Sequence, residues 1–414
     1  MTAARRAVAR RGKGKGVAAT VIVAALGYFV DIYDLVLFSI VRVPSLKALG
    51  LQGDAVLSTG VFLINAQMTG MLVGGVLWGF LGDKKGRLSV LFGSIFMYSM
   101  ANIANAFVTD VASYSVLRFL AGVGLAGELG AAITLISEIM TKENRGYGTA
   151  IVATVGVSGA VVAALVGDHF TWKTAYIVGG CLGLALLVLR MGIFESGMFE
   201  NLKGVDIRRG DLRLLLGHPQ RLRKYLCCIL VGIPIWYIIG VLVTFSPEIT
   251  AAQGVTAPVS AGTAIMMCYI GLIAGDLAFG LLSQFWRTRQ KVILLSLVIS
   301  ALAIALDLSL RGFHPSTFYA VCVLLGLAAG YWAVFMTVAS EQFGTNLRAT
   351  VTTTAPNFVR GSVVPLTLSF QALKGSLGIV GSAAAIGVVV LVIALFAATY
   401  LEETFGKDLD YVER

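Results

Sequence analysis

The stretch Gly79-Phe80-Leu81-Gly82-Asp83-Lys84-Lys85-Gly86-Arg87 lies between two long apolar runs and combines charged residues with three glycines. This composition is typical of a short turn that joins two membrane helices at the cytoplasmic face. The small residues let two helix ends approach closely, and Asp83 can cap a helix or pair with a neighbouring Arg. The stretch predicts either a conformational latch, with Asp83 and Arg87 as gating residues, or an ordinary basic turn.

Composition places the whole chain in the membrane. Hydrophobic residues make up 57% of the 414 residues and charged residues only 13%, which is too apolar for an ordinary soluble domain. A helix needs about 20 apolar residues to cross the hydrocarbon core, and twelve stretches of suitable length are present. The predicted spans are residues 17–41, 57–81, 88–107, 111–137, 146–167, 173–193, 224–246, 262–285, 291–310, 315–338, 350–373 and 377–401.

The distribution of basic residues predicts the orientation. The net charge is +10, and most Lys and Arg residues fall in the N-terminal tail and in alternate loops on the same side as Lys84 and Lys85. This asymmetry is expected of cytoplasmic loops and argues against a nucleic-acid partner. We therefore expect a plasma-membrane protein with both termini in the cytoplasm and with a first helix that is retained rather than removed as a signal peptide.

A charged segment divides the chain into two halves. Residues 194–223 are rich in Asp, Glu and Arg and predict a cytoplasmic loop between an N-terminal six-helix bundle, residues 1–193, and a C-terminal one, residues 224–414. A loop pattern recurs in both halves, since Glu138 precedes Arg145 by the spacing at which Glu341 precedes Arg348. These four residues are either markers of helix ends or gating clamps that hold neighbouring helices in one state of a carrier.

Six ionisable residues lie in the middle part of predicted spans, where each charge costs about 2.5–3.5 kcal/mol. Asp31 and Asp34 are expected at the depth of Arg118, and Glu128, Arg360 and Asp276 nearer the midplane. Asp31 and Asp34 share one helical face and are the best candidates for carrying a proton, with Glu128 as the second choice. Alternatively, Arg118 neutralises the pair permanently and joins the first and fourth spans.

Arg360 is the leading candidate for binding an anion, with Arg118 as the other. Its guanidinium offers a fixed fork of donors that suits a carboxylate, and Gly361 leaves room beside it. The alternative is a structural charge pair with Asp276 on the eighth span.

Two aromatic pairs occupy similar places in the seventh and tenth spans. Trp236 and Tyr237 form one pair, and Tyr331 and Trp332 form the other. They can be walls of a substrate pocket, or they can be interface anchors and packing residues.

The spacing Gly-x-Leu-x-Asp-x-x-Gly-Arg at 79–87 resembles the signature loop between the second and third helices of the major facilitator superfamily. The Asp-x-x-Asp of the first span resembles the aromatic acid:proton symporters, and the fourth span from Arg118 to Ala132 resembles the metabolite:proton symporters of the same superfamily. The resemblance implies an all-α integral membrane protein of twelve transmembrane helices in two pseudo-symmetric six-helix bundles. It also implies a central cavity lined by spans 1, 4, 7 and 10, and alternating access.

These observations lead to a proton-coupled symporter for a small organic anion or related metabolite. An exporter of amphipathic compounds or of a siderophore uses the same scaffold, whereas the buried acids argue against a channel or a membrane sensor. No nucleophile motif or His cluster supports an enzyme, and the five Cys residues lack the spacing of a metal site. We expect a monomer without cofactor or metal, whose partners are substrate, protons and the lipid bilayer.

Overall fold

A computed structural model describes residues 3–85, 87–128, 152–195, 215 and 217–407. Side chains are described in these ranges except at 3–20, 79–80, 82–85, 87–91, 192–195, 345–346 and 349. Regular structure in the described residues is helical. In the first half the helices are α1 Ala3–Ala48, α2 Asp54–Lys85, α3 Arg87–Asn105, α4 Val111–Leu125, α5 Gly159–His169 and α6 Trp172–Glu195.

The second half begins with α7, Pro219–Tyr237, which continues directly as a π-helix, Ile238–Val243. The remaining helices are α8 Ser246–Ala252, α9 Ala261–Phe285, α10 Gln290–Ser309, α11 Pro315–Ala329, α12 Trp332–Glu341, α13 Thr345–Gly361 and α14 Val363–Tyr400. The helix starts at Pro219, before the predicted start of the seventh span at residue 224, and a proline in the first turn needs no hydrogen-bonded N–H.

The helices agree closely with the predicted spans. Within the described residues, nine helices are long and apolar enough to cross a membrane. This number is three lower than the twelve predicted spans because two spans are missing and two others are counted as one. The third and fourth adjoin residues without described side chains or structure, and the last two are merged because α14 runs through Gly378, whose φ of +69° marks a sharp kink. That kink lies at the predicted boundary between the eleventh and twelfth spans.

Glycines bring the helices of each half into close contact. A Cβ on Gly122 of α4 would overlap the carbonyl oxygen of Gln67 on α2, and one on Gly326 of α11 would overlap that of Cys268 on α9. Small residues at such crossings are what allow helices to pack in the absence of a hydrophobic driving force between them. The α2–α4 and α9–α11 crossings therefore use the same device in the two halves.

The two halves meet along two seams. Helix α2 packs against α13 and α14, and α1 and α5 pack against α9. All six charged residues predicted in the middle part of the spans are at least 94% buried, and two of them, Asp31 of α1 and Arg360 of α13, contact each other between the halves.

Candidate functional site

Arg360 lies at the centre of the site and reaches across the interface between the halves. Its Nη2 on α13 lies 3.4 Å from Oδ2 of Asp31 on α1, and both side chains are fully buried. Among the residues that the structure describes, neither Nε nor Nη1 of Arg360 has a hydrogen-bond partner, and Oδ1 of Asp31 has none. A long, single contact leaves most of the donor fork available to another anion.

Two tryptophans flank the Arg360 guanidinium. Its Cζ lies 5.9 Å from the ring centre of Trp236 and 6.0 Å from that of Trp332. These distances are typical of cation–π contacts, in which the negative face of the indole attracts the cation. The tryptophan of each predicted aromatic pair therefore lies beside Arg360.

Both tryptophans sit where a helix is irregular. Trp236 follows Pro234 and precedes the π-helix, and Trp332 begins α12 directly after the break at Gly330. Proline and glycine loosen the helix ladder at these places, and π-turns occur frequently at functional sites.

The tyrosines of the two predicted pairs have a different placement. The hydroxyl of Tyr237 donates to the carbonyl oxygen of Ala383 at 2.6 Å, and that of Tyr331 donates to the carbonyl oxygen of Val231 at 2.8 Å. Both side chains are fully buried and tie one helix to another. Their geometry corresponds to the packing alternative rather than to pocket walls.

Asp276 is not paired with Arg360. Its Oδ1 accepts a hydrogen bond of 2.9 Å from the backbone N–H of Ala333, in the first turn of α12. The predicted charge pair is therefore wrong, because Asp31 from the other half takes the place beside Arg360 and the broken tenth span offers Asp276 a free N–H.

Arg118 is held mainly by amides. It donates to Oδ1 of Asn102 at 2.6 Å and to Oε1 of Gln67 at 3.3 Å, and its Cζ lies 5.0 Å from the ring centre of Tyr176. Asp34 lies within the field of Arg118, whereas Asp31 faces Arg360. The expectation that Arg118 neutralises both carboxylates is therefore wrong for Asp31.

Glu128 pairs with an arginine to which the sequence analysis gave no role. Arg190 on α6 donates to both oxygens of Glu128, through Nη1 at 3.0 Å and through a second, shorter contact from Nη2. Gly27 of α1 provides the space, because a Cβ there would overlap both side chains. The sequence did contain an indication of this pair, since Arg190 is a cation within the sixth predicted span and a buried acid needs a partner at its own depth.

The predicted gating residues divide into two groups. Glu138 and Arg145 lie outside the described residues, as do the side chains of Asp83 and Arg87. Glu341 is described, and its Oε2 lies 3.6 Å from Nε of Arg289 and accepts from the Thr404 hydroxyl at 2.7 Å.

Arg348 does not pair with Glu341. It donates to the carbonyl oxygens of Ser340 and Phe343 at 3.1 and 3.4 Å. In this arrangement Arg289 therefore takes the place beside Glu341, and the gating role of Glu341 and Arg348 remains a prediction for the form that is closed on the inner side.

Three polar contacts join the halves at the predicted outer face. Arg42 donates to both carboxylate oxygens of Glu248 at 2.7 and 2.8 Å, and Lys374 contacts Asp54 at 2.6 Å. Asp168 accepts from the hydroxyls of Ser260 and Thr263, each at 3.0 Å. Together these contacts close the outer ends of the helices over the Arg360 region.

Residues 19–364 match the Major Facilitator Superfamily. The chain belongs to this superfamily. The match covers most of the described helices and both halves of the site, so the predicted family is confirmed. The chain accordingly has the major facilitator fold of twelve transmembrane helices and is a multi-pass membrane transporter, not an enzyme.

Relatives within the superfamily include carriers named for aromatic acids. The chain is 28% identical over 345 residues to the 3-(3-hydroxy-phenyl)propionate transporter of Escherichia coli K12, covering 81% of this chain and 83% of the relative. It is 31% identical over 147 residues to the 4-hydroxybenzoate transporter PcaK of Pseudomonas putida, covering 33% and 32% of the two chains.

A solved member of the superfamily has the same fold. The proton:xylose symporter XylE, bound to 6-bromo-6-deoxy-D-glucose, superposes with a TM-score of 0.69 at 16% identity and covers 96% of this chain and 98% of its own. At this level of identity the likeness concerns the fold alone.

Proposed function

We propose that the protein is a proton-coupled symporter that carries an aromatic monocarboxylate across the plasma membrane. The observation that carries the proposal is the Arg360 guanidinium, which lies between the indoles of Trp236 and Trp332 with two N–H positions unpaired in the described structure. A carboxylate fits the donor fork, and flat indole surfaces favour a flat ring beside it. The names of the aromatic-acid relatives support the same substrate class.

Proton coupling follows from the charge balance at Arg360. In the empty carrier Asp31 supplies the negative charge opposite the guanidinium. A substrate carboxylate that binds Arg360 takes over this role, and Asp31 then remains as a second buried anion beside one cation. Because an uncompensated buried charge is costly, Asp31 binds a proton when substrate binds. One proton therefore accompanies each substrate anion.

The other buried acids are less suited to this role. Both oxygens of Glu128 are engaged by Arg190 through two hydrogen bonds within the first half. Asp34 lies within the field of Arg118, one helical turn from Asp31, and is the candidate for passing the proton onward. The predicted gating residues Asp83, Arg87, Glu138, Arg145, Glu341 and Arg348 remain candidates for controlling access, and cytoplasmic termini and a monomeric state remain predictions.

Binding of radiolabelled benzoate to the purified protein tests the proposal. A charge-assisted hydrogen bond contributes about 1.5–3 kcal/mol, so Arg360→Gln should weaken binding by roughly tenfold or more. Arg311→Gln is the matched control, because Arg311 lies in an exposed loop and donates only to the nearby carbonyls of Leu308 and Leu310. Wild-type affinity in Arg360→Gln would contradict the proposed anion site.

Proton uptake during binding tests the coupling separately. In weakly buffered solution with a pH indicator, the wild-type protein should take up about one proton for each benzoate bound. Asp31→Asn should bind benzoate without taking up a proton, because Asn is neutral and still fits the site. Equal proton uptake by the variant would exclude Asp31 as the coupling residue, and binding without uptake by the wild type would exclude coupling altogether.

A further inference from the structure

Asp276 presents an unused acceptor beside the proposed substrate site. It is 6% exposed and lies on α9, two helical turns beyond Tyr269 and on the same helical face. Its Oδ1 is bound by the N–H of Ala333, but in the described part of the chain its Oδ2 has no hydrogen-bond partner. A buried carboxylate oxygen without a donor is unusual, since buried polar groups in native proteins are almost always paired.

The N-terminal end of α12, a helix of ten residues, binds one oxygen of Asp276. Backbone N–H groups in a first helical turn have no partner inside the helix, and Oδ1 accepts from one of them, that of Ala333. Oδ2 keeps its lone pairs unused among the described residues, so it can accept a hydrogen bond from a donor on a ligand.

Asp276 and Arg360 are both placed at the start of α12. The Cζ of Arg360 lies 6.0 Å from the ring centre of Trp332, the first residue of that helix, and Asp276 binds the backbone N–H of the next residue, Ala333. The site thus has a cation, Arg360, and a separate acceptor, Oδ2 of Asp276, at one helix end.

We propose that Asp276 determines specificity by accepting a hydrogen bond from a donor on the ring of the substrate, such as a phenolic hydroxyl. This inference rests on the proposed function, because it requires the substrate carboxylate to occupy Arg360. It narrows the substrate class to aromatic monocarboxylates that carry a ring hydroxyl or another ring donor. A site built to bond a substrate hydroxyl discriminates strongly against analogues that lack it, since the acceptor is otherwise left unpaired.

Competition binding against radiolabelled benzoate provides the test. The probes are 3-hydroxybenzoate, 4-hydroxybenzoate and their methyl ethers, which keep the ring, the carboxylate and the ether oxygen but lose the donor. At the wild-type protein, at least one hydroxybenzoate should compete roughly tenfold or more better than its methyl ether. This comparison needs no variant, so it holds even where a substitution impairs folding.

Two variants assign the preference to Asp276. In Asp276→Asn the amide oxygen can still accept from Ala333 while the NH₂ group becomes a donor, so the preference for hydroxyl over methyl ether should disappear or reverse. A purely structural role would weaken all probes equally and leave their ratio unchanged. Asp307→Asn is the matched control, because Asp307 is also a buried acid of the second half but lies on α10 near Tyr237 and Cys322.

The outcomes separate this inference from the proposed function. Binding of benzoate with no hydroxyl preference at the wild type would overturn the role of Asp276 alone. A preference for the methyl ethers would also overturn it, because it would mean that Asp276 is a protonated donor. No binding of any benzoate would overturn the proposed function and the subsite with it.

Discussion

The Glu128–Arg190 pair is a buried ion pair that lies apart from the Arg360 site and supports it through the first span. Both side chains are at least 95% buried, and Nη1 and Nη2 of Arg190 each bind a different carboxylate oxygen of Glu128. The pair lies next to the first span through Gly27, so it fixes the helix that carries Asp31. We interpret it as the support of the proton site.

Removing one partner of this pair should strongly destabilise the protein. Breaking a buried pair leaves an uncompensated charge and costs about 3–5 kcal/mol, so Glu128→Gln should lower the thermal unfolding temperature markedly. The double variant Glu128→Gln/Arg190→Gln should recover much of that loss, because no charge is left alone. Thermal unfolding in detergent measures both.

An exposed ion pair provides the comparison. Lys224 lies 2.9 Å from Glu402, with side chains 31% and 55% exposed. Pairs in such surroundings contribute about 0–1 kcal/mol, so Glu402→Gln should leave the unfolding temperature nearly unchanged. If Glu128→Gln and Glu402→Gln had the same small effect, burial of the first pair would have no energetic consequence and our interpretation would fail.

At this scale the sequence identified which residues are unusual but not which of them meet. Arg360, Asp31 and the two tryptophans stand out because charges and amphipathic rings are rare in apolar spans. Which of these residues meet depends on how each helix is rotated about its axis and on which half it faces. The position of a residue along its own helix determines neither. For this reason depth alone allows a pair between Asp276 and Arg360, whereas the structure pairs Arg360 with Asp31 and Glu128 with Arg190.

Close helix crossings are the main feature at the scale of elements. Gly326 of α11 meets the backbone of α9 so closely that a Cβ would overlap the Cys268 carbonyl, whereas Gly280 of α9 has open space at the corresponding position of a Cβ. Only the first glycine is required by packing. What separates the two positions is how close the neighbouring helix comes in the folded protein.

We predict that Gly326→Ala destabilises the protein and that Gly280→Ala does not. Overpacking forces backbone shifts that typically cost 1–3 kcal/mol, and α9 and α11 would have to move apart. At Gly280 the added methyl group contacts no neighbouring atom, and alanine favours a helix over glycine by about 1 kcal/mol. Thermal unfolding of the two variants is the measurement, and a reversed order would contradict the assigned packing.

Glu403 links three elements at the predicted cytoplasmic face. Its carboxylate accepts from the N–H groups of Arg289, Gln290, Thr404 and Phe405 and from the Thr288 hydroxyl. It therefore caps the N-terminal end of α10 from beyond the end of α14. The sequence did not indicate this cap, because its acid lies more than a hundred residues after the first residue of the helix that it caps.

The cap predicts a dependence of stability on pH. Partial burial alone would raise the pKa of Glu403, but the hydrogen bonds from Thr288 and the backbone hold it below its usual value. Since the folded-state pKa is the lower one, the stabilisation is complete above the unfolded-state pKa of about 4.3 and is lost as pH falls through the folded-state value. Glu403→Gln should therefore be less stable than the wild type at neutral pH.

The difference between these two proteins should shrink at the acid end of the range, below a pH of about 4. Thermal unfolding at a series of pH values measures it. A difference that stays constant down to the lowest accessible pH would show that the Glu403 charge is not what stabilises the cap.

At the scale of the whole molecule, the contacts between the halves define one side of the transport cycle. Arg42 binds Glu248 through two hydrogen bonds, donates to the carbonyl oxygen of Thr244 and lies 4.8 Å from the ring centre of Phe245. These contacts must break before the Arg360 region can open toward the predicted outer face. We interpret the described arrangement as closed on that side.

Weakening this contact should shift the population toward the outward-open form. Loss of a charge-assisted pair, worth about 1.5–3 kcal/mol, changes the ratio of two states roughly tenfold or more. Thr367 is a suitable reporter, because it is buried in the seam, where its hydroxyl donates to Asn65 of the other half at 2.7 Å.

The measurement is the labelling of Thr367→Cys by a membrane-impermeant maleimide, with the five native cysteines replaced by Ser. Labelling should be faster when Arg42→Gln is added, and Arg311→Gln, on the same predicted face, should leave it unchanged. Unchanged labelling in Arg42→Gln would show that the Arg42–Glu248 pair does not control the opening.

The architecture at this scale was largely predictable, because span length, charge asymmetry and the 79–87 loop depend on local sequence. The breaks within the seventh and tenth spans were less predictable. Pro234 precedes the first break and Gly330 lies at the second, and only the folded helices show that both breaks bring a tryptophan to Arg360.

Uptake of radiolabelled 4-hydroxybenzoate by the purified protein in liposomes tests the proposed symport most directly. With an inward proton gradient, the account predicts accumulation above the external concentration, and collapse of the gradient with an uncoupler should abolish it. Asp31→Asn should exchange internal for external substrate but should not accumulate it. Accumulation that is unaffected by the uncoupler, or that persists in Asp31→Asn, would contradict the account.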